Sequence, residues 1–272
     1  MEYEIKPKAK LSLGLEELWE FRELFYFFTW RDIKVKYKQA VLGIFWAILQ
    51  PLFMTLIFSY LLGNAISSQA KLPVPYPVYA LSGMLLWGIF SGGMSNAANS
   101  MVTNSNIIKK IYFPRLIIPI SAVLVACVDF FMAFIIFIVA LVYYQIEINW
   151  VGLLFIPLAV IFASVAAMGI GMFFAALNVK YRDVRYIIPF LVQALLFLTP
   201  VIYPVSITGN KTLQLLLQLN PMAGALELFR SLFLDYQVNW ETVGLSSATC
   251  LLFFVIGILY FRKTEAYFAD LA

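Results

Sequence analysis

The sequence predicts an all-α integral membrane protein: six transmembrane helices, an amphipathic cytoplasmic helix ahead of them, and two short re-entrant helices on the outer side between the fifth and sixth spans. Three observations predict it. Of 272 residues, 62% are hydrophobic and 12% charged, with a mean hydropathy of +0.87, whereas soluble domains average about 45–50% apolar and about 25% charged. The charges gather in short segments between long uncharged runs; after Lys38 the next is Lys71. Those runs suit helices of roughly 20 residues, enough to cross about 30 Å of hydrocarbon.

The chain divides into a cytoplasmic N-terminal segment (1–38), the six-span domain (39–261) and a cytoplasmic tail (262–272). The first ten residues carry Lys6, Lys8 and Lys10 and no small-residue cleavage site follows an apolar core, so no cleavable leader is expected. Residues 15–29, "LEELWEFRELFYFFT", set Leu15, Leu18, Trp19, Phe25 and Phe28 near helical spacing against Glu16, Glu20 and Glu23, as suits a helix lying on the membrane surface. The first span runs from about Gln39 to Gly63, with Pro51 inside it. The second, about Tyr76 to Met101, contains "GIFSG" and is predicted to pack closely through Gly88, Gly92 and Gly93. Asn96, Asn99 and Asn104 at its polar end should face other helices or a wet cavity. The third runs from about Leu116 to Tyr144, the fourth from Val151 to Leu177, and the fifth from Ile187 to Tyr203, punctuated by Pro189, Pro200 and Pro204. The sixth runs from about Val243 to Phe261. Each is too long and too apolar for a strand.

The 205–242 connection holds two amphipathic pieces broken at Asn220-Pro221, each too short to cross. Non-helical backbone there must be buried or line water. Glu227 and Arg230, three residues apart, can pair on a solvated helix face or belong to a moving element.

Sixteen of the 19 Lys and Arg residues fall on one side of this topology; Lys71, Lys211 and Arg230 fall on the other. Cytoplasmic flanks carry that excess, so both termini are expected in the cytoplasm, and the net charge of +4 is not read as nucleic-acid affinity. Histidine is absent and the two cysteines, Cys127 and Cys250, lie in apolar runs. This leaves no ligand set for zinc or haem and no disulfide framework. No Walker motif is present; "TGNKT" at 208–212 lacks the first glycine and falls on the outer side. Asp129 lies within the third span, where a carboxylate lines a pathway, bonds a neighbouring helix or carries a proton.

Four stretches resemble one family: "WRDIKVKYKQAVLGIFWAILQPL" (30–52), "NSNIIKKIYFPRLIIPIS" (104–121), "NVKYRDVRYIIPFLVQALLFLTPVIYP" (178–204) and "NPM" (220–222). They resemble the membrane subunits of polysaccharide-exporting ABC transporters, the ABC-2 type permeases, and most of all the O-antigen (Wzm-type) permeases of the bacterial inner membrane. The resemblance implies a homodimer of this chain, driven by two copies of a cytoplasmic ATPase that binds the ATP and Mg, with no cofactor in this chain. It implies an undecaprenyl-diphosphate-linked glycan as substrate, moved outward. The loop after the second span then matches the coupling helix that docks on the ATPase, with Asn106, Ile107, Ile108, Lys109, Lys110, Tyr112 and Phe113 as contacts. Arg31, Lys34, Lys36 and Lys38 fall where the lipid diphosphate would arrive. Asn220, Pro221, Glu227 and Arg230 fall in the outer gate, expected closed at rest. Aromatic rings suit a sliding polymer, and Trp46, Trp87, Phe90, Phe197 and Tyr203, with Asp129, are the pathway candidates. Capsule or teichoic-acid export is the alternative within the family. A proton-coupled carrier would want several buried ionisable groups and repeats, and a membrane glycan ligase would want charged clusters outside.

Overall fold

The computed structural model describes residues 15–38, 43, 45–181 and 183–265. Among them the regular structure is helical, with one isolated antiparallel bridge between Ile148 and Phe233. Twelve α-helices follow in order: α1 Leu15–Glu20, α2 Arg22–Lys38, α3 Phe45–Gln69, α4 Tyr76–Thr103, α5 Ser105–Ile108, α6 Ile117–Tyr143, α7 Trp150–Leu153, α8 Phe155–Lys180, α9 Val184–Leu198, α10 Lys211–Gln218, α11 Ala223–Arg230 and α12 Trp240–Glu265.

Among the described residues five stretches are long and apolar enough to cross a membrane: α3, α4, α6, α7 with α8, and α12. The fifth predicted span is different. Helix α9 has 15 residues, about 22 Å at 1.5 Å per residue, and stops at Leu198 although apolar residues continue beyond it. The predicted start of the first span, residues 39–44 except Gly43, lies outside the described residues, as do residues 1–14 and 266–272 of the two cytoplasmic segments.

Helix α4 is the axis of the bundle. In its most apolar window 78% of residues are buried, against 6% in α3. It packs on α3, α6, α8, α9 and α11. Pro75 precedes it and a proline sits in its first turn, where a missing N–H costs nothing. Close approach rests on small residues, only partly those expected. A methyl on Gly93 would meet Ala167 Cβ at 3.2 Å and Val123 at 3.3 Å; Gly92 makes ordinary contact and Gly88 faces open space. A tighter crossing lies elsewhere, between α8 and α12. A Cβ on Gly257 would fall 2.0 Å from the Gly169 carbonyl oxygen, and one on Gly169 2.7 Å from the Phe254 backbone.

The amphipathic segment is two helices broken at Phe21, and the second continues through the whole basic cluster to Lys38. Phe28 is buried with Met101, Ile108, Phe113 and Phe261, fastening α2 under α4, α6 and α12. Trp19, Tyr26, Phe27 and Trp30 remain exposed on its outer face. The side chains of Leu15 and Glu16 lie outside the described residues.

Candidate functional site

Three groups of candidate residues follow the bundle from one end to the other. At the end carrying α2, the four predicted cations separate. Arg31 Nη2 donates to Asn104 Oδ1 at 2.7 Å and to Asp32 Oδ1 at 2.7 Å, and its guanidinium lies 4.7 Å from the Phe28 ring centroid. Asn104, buried, donates in turn to the Ser100 carbonyl at 2.8 Å, so Arg31 clamps α2 to the end of α4. Lys36 pairs with Asp129 on α6, and the Tyr37 hydroxyl donates to the same carboxylate. Burial first, then the hydrogen bond to Asp129, push the Tyr37 hydroxyl well above its ordinary pKa, so it remains a donor. Lys34 Nζ sits 5.1 Å from the Trp30 ring. Arg31, Lys34 and Lys38 line one cavity of about 340 Å³ with Phe27, Trp30 and Val35; Lys36 is not part of it.

The loop after α4 also divides. Ile108 and Phe113 are buried in the cluster beneath α2, while Asn106, Lys109, Lys110, Ile111 and Tyr112 are exposed and Ile107 is half-buried. Ile111 is 62% exposed and Tyr112 77%. The outward apolar residues are therefore Ile111 and Tyr112. Ile108 and Phe113 anchor the loop from inside, because a four-residue helix is too short for spacing to tell its faces apart. Tyr112 reaches Glu17 of α1 at 3.5 Å. Arg115 holds the end of α12 through Glu265, which also takes Arg262 at 2.8 Å.

Among the pathway candidates, Trp87 and Phe90 are 5% and 1% exposed and meet as a tilted pair of rings, 5.3 Å between centroids, inside the core. Trp46 and Phe197 are open, at 55% and 60%. Tyr203 is half-buried and donates to the Phe197 carbonyl at 2.5 Å. Two exposed stripes went unread. Trp46, Phe53 and Tyr60 repeat every seventh residue along α3, and Tyr186, Phe190 and Phe197 share one face of α9. The seven-residue interval was available from spacing alone. Asn99 and Asn178 tie α4 to α8: Asn178 Nδ2 donates to the Ala98 carbonyl at 3.0 Å and Asn99 Oδ1 at 3.1 Å. Asn96 is exposed.

At the far end, Arg230 is 2% exposed. It donates to the carbonyls of Pro200 at 3.0 Å and Val201 at 2.5 Å, with its guanidinium carbon 3.8 Å from the Tyr79 ring centroid. Asn220 donates to the Leu198 carbonyl at 3.1 Å and Thr199 Oγ1 at 3.0 Å, while its own side chain accepts the Met222 N–H at 2.8 Å. These two residues satisfy the carbonyls of Leu198, at the end of α9, and of Pro200 and Val201 just beyond it, which is how buried non-helical backbone at 199–202 is tolerated. Glu227 and Arg230 do not form a solvated surface pair; both are buried. Glu227 accepts the Asn239 N–H at 3.1 Å. Burial pushes its carboxyl up from the usual range, against the pull of that N–H, of Tyr236 and of Arg230. Pro221 is half-buried at the junction of α10 and α11.

These features define a multi-span helical membrane protein with a basic, aromatic platform at one end and a sealed polar cluster at the other. Residues 23–234 match the ABC-2 type transporter family, and the chain belongs to that family. It is 27% identical over 267 residues to the O-antigen export system permease protein RfbA of Klebsiella pneumoniae, covering 97% of this chain and 98% of that one. A protein of the same name from Myxococcus xanthus is 27% identical over 225 residues, covering 82% and 85%. The polysialic acid transport protein KpsM of Escherichia coli is 23% identical over 249 residues, covering 86% and 91%.

Proposed function

We propose that this chain is the membrane subunit of an ABC exporter that carries a lipid-linked polysaccharide outward across the bacterial inner membrane. The observation that carries this reading is the likeness to O-antigen export permeases over nearly the whole of both chains. The chain supplies the path, and a separate cytoplasmic ATPase, two copies with bound ATP and Mg, supplies the work. The absence of a Walker motif from the sequence supports that division of labour.

In this reading both termini are cytoplasmic and α9 is the fifth of six crossings, made short because its end is completed by backbone held by Arg230 and Asn220. The exposed surface of Lys109, Lys110, Ile111 and Tyr112 is the ATPase dock, apolar contacts within a charged rim. The outer aromatic face of α2 lies in the lipid headgroups. Arg31, Lys34 and Lys38 receive the undecaprenyl diphosphate, with Lys36 held back by Asp129. Two copies of the chain turn the stripes on α3 and α9 toward one path, where rings meet sugar CH faces without fixed hydrogen bonds. Asn220, Pro221, Glu227 and Arg230 close its outer end. Support for these assignments comes from exposure, charge and family likeness.

The test is purification of the tagged chain from its host in mild detergent, with mass identification of its companions and an ATP-hydrolysis assay. A stoichiometric ATPase with vanadate-sensitive turnover is expected. After cross-linking before extraction, an oligomer without ATPase or turnover overturns the reading.

A further inference from the structure

The loop after α4 presents Ile111 and Tyr112, yet it has little frame of its own. Ile111 closes the last backbone turn, onto the Ile107 carbonyl at 3.1 Å. Residues 112–114 carry no regular structure, and Pro114 has no N–H to give. The next backbone donor with a partner among the described residues is Arg115, and that partner is Glu265 at the end of α12. Resting on the export reading, we propose that Glu265 is a positioning residue for the ATPase dock: it holds Arg115 and so fixes the direction in which Ile111 and Tyr112 face the ATPase.

Three observations carry it. First, the contact is double. Glu265 Oε1 accepts the Arg115 N–H at 3.3 Å, and the Glu265 main-chain carbonyl accepts the Arg115 guanidinium. A helix leaves its last carbonyls open, so Arg115 caps α12 while α12 holds the loop. Second, Glu265 stands against local preference, since a carboxylate in a helix's last turn opposes the macrodipole. Arg262, three residues back, donates to its other oxygen, Oε2, at 2.8 Å, and the two side chains are 13% and 20% exposed. The carboxylate is thereby held with Oε1 turned to the loop. Third, the buried anchors do a different job. Ile108 and Phe113 sink the loop into the cluster beneath α2. Apolar burial is non-directional and sets depth, whereas hydrogen bonds are directional and set facing. The Tyr112–Glu17 bond is long, at 3.5 Å, and exposed; the Glu265 clasp is partly buried. A dock already facing its partner avoids the ordering cost of binding.

The experiment uses the chain with its ATPase in lipid nanodiscs. It reads the affinity for the ATPase, ATP hydrolysis, and the thermal midpoint of the detergent-solubilised chain. Glu265→Ala is expected to weaken the affinity about tenfold, the scale of re-ordering a freed segment, and to lower hydrolysis with it. The midpoint should move less than in Ile108→Asp. Glu265→Gln keeps an oxygen for the Arg115 N–H and should recover part of the loss. The discriminating readout is the pair: in a Tyr112→Ala background, with part of the dock already gone, Glu265→Ala should cost less than about threefold more. Unchanged affinity in Glu265→Ala overturns the assignment, and so does no recovery in Glu265→Gln. A full further loss in the Tyr112→Ala background, or a midpoint falling as far as in Ile108→Asp, makes the contact purely structural and overturns it too. An unmodified chain that binds no ATPase defeats the export reading and this assignment with it; an ATPase that binds and ignores Glu265 defeats the assignment alone.

Discussion

At the end of the bundle that carries α2, several cations share a partly open surface, where Arg31 bonds the Asn104 amide, Lys34 lies by the Trp30 ring and Lys36 pairs with the Asp129 carboxylate. At the opposite end one cation, Arg230, is sealed from solvent and bound to two neutral carbonyls and a tyrosine ring. The first arrangement is exchangeable: Lys36 is 44% exposed and Asp129 22%, so water competes for either and an anionic headgroup for Lys36. The second is not, because removing Arg230 leaves carbonyls buried with no replacement donor. The same residue class thus serves as an adaptable platform at one end and as a fastener at the other. What decides between them is whether water can reach the charge.

The largest effect should come from breaking the fastener. Arg230→Leu orphans the Pro200 and Val201 carbonyls and should cost on the order of 3 kcal/mol, read as a drop in the thermal midpoint of the detergent-solubilised chain. Arg230→Lys should not restore it, since a point donor does not span two carbonyls. Next is Gly83→Ala, whose Cβ would fall 2.2 Å from the Val201 oxygen; about 1–3 kcal/mol is expected, by the same measurement. An undisturbed midpoint in both would mean the far end is not locked as described.

The platform should respond differently. Ile111→Asp with Tyr112→Ala should leave the midpoint unchanged and cut coupled ATP hydrolysis at least about tenfold, as for loss of an interface anchor. Ile108→Asp should lower the midpoint instead, because Ile108 is inside. Asp129→Asn should cost about 1 kcal/mol or less, as for a partly exposed pair, and Lys36→Met should then add little in the double variant. The smallest effect concerns Glu227. Its folded pKa is raised, so the native state holds the proton longer than the unfolded chain. Its contribution is full below the ordinary carboxylate range and is lost as pH rises through the raised value. Glu227→Gln should flatten that slope in a pH series of thermal midpoints.

Much of this was legible in the sequence, and the parts that were not have physical reasons. Hydropathy located α3, α4, α6, α8 and α12, because a lipid-facing helix must be apolar along a full crossing. It misjudged α9, because residues 199–204 are apolar too. What stops the helix is Thr199-Pro200 together with donors 21 and 30 residues away. Charge counting found the basic cluster, yet the split of Lys36 from Lys34 and Lys38 depends on Asp129, 93 residues on. Proximity across such separations is set by packing and leaves no local pattern. The buried Ile108 and exposed Ile111 are both isoleucines in a short loop, and composition does not tell them apart. The stripes on α3 and α9, by contrast, are local and stand in the sequence as spacing.

The α8–α12 crossing has a mechanical consequence. Where Gly257 and Gly169 meet, neither backbone leaves room for a methyl group, so the helices interlock rather than slide over cushions of side chain. Small relative displacements there meet repulsion at once, and interfaces of this kind change by whole steps or not at all. The pair therefore behaves as one strut, tied through Glu265 to the loop after α4. The compliance of the molecule is left to α3 and α9, whose faces are open.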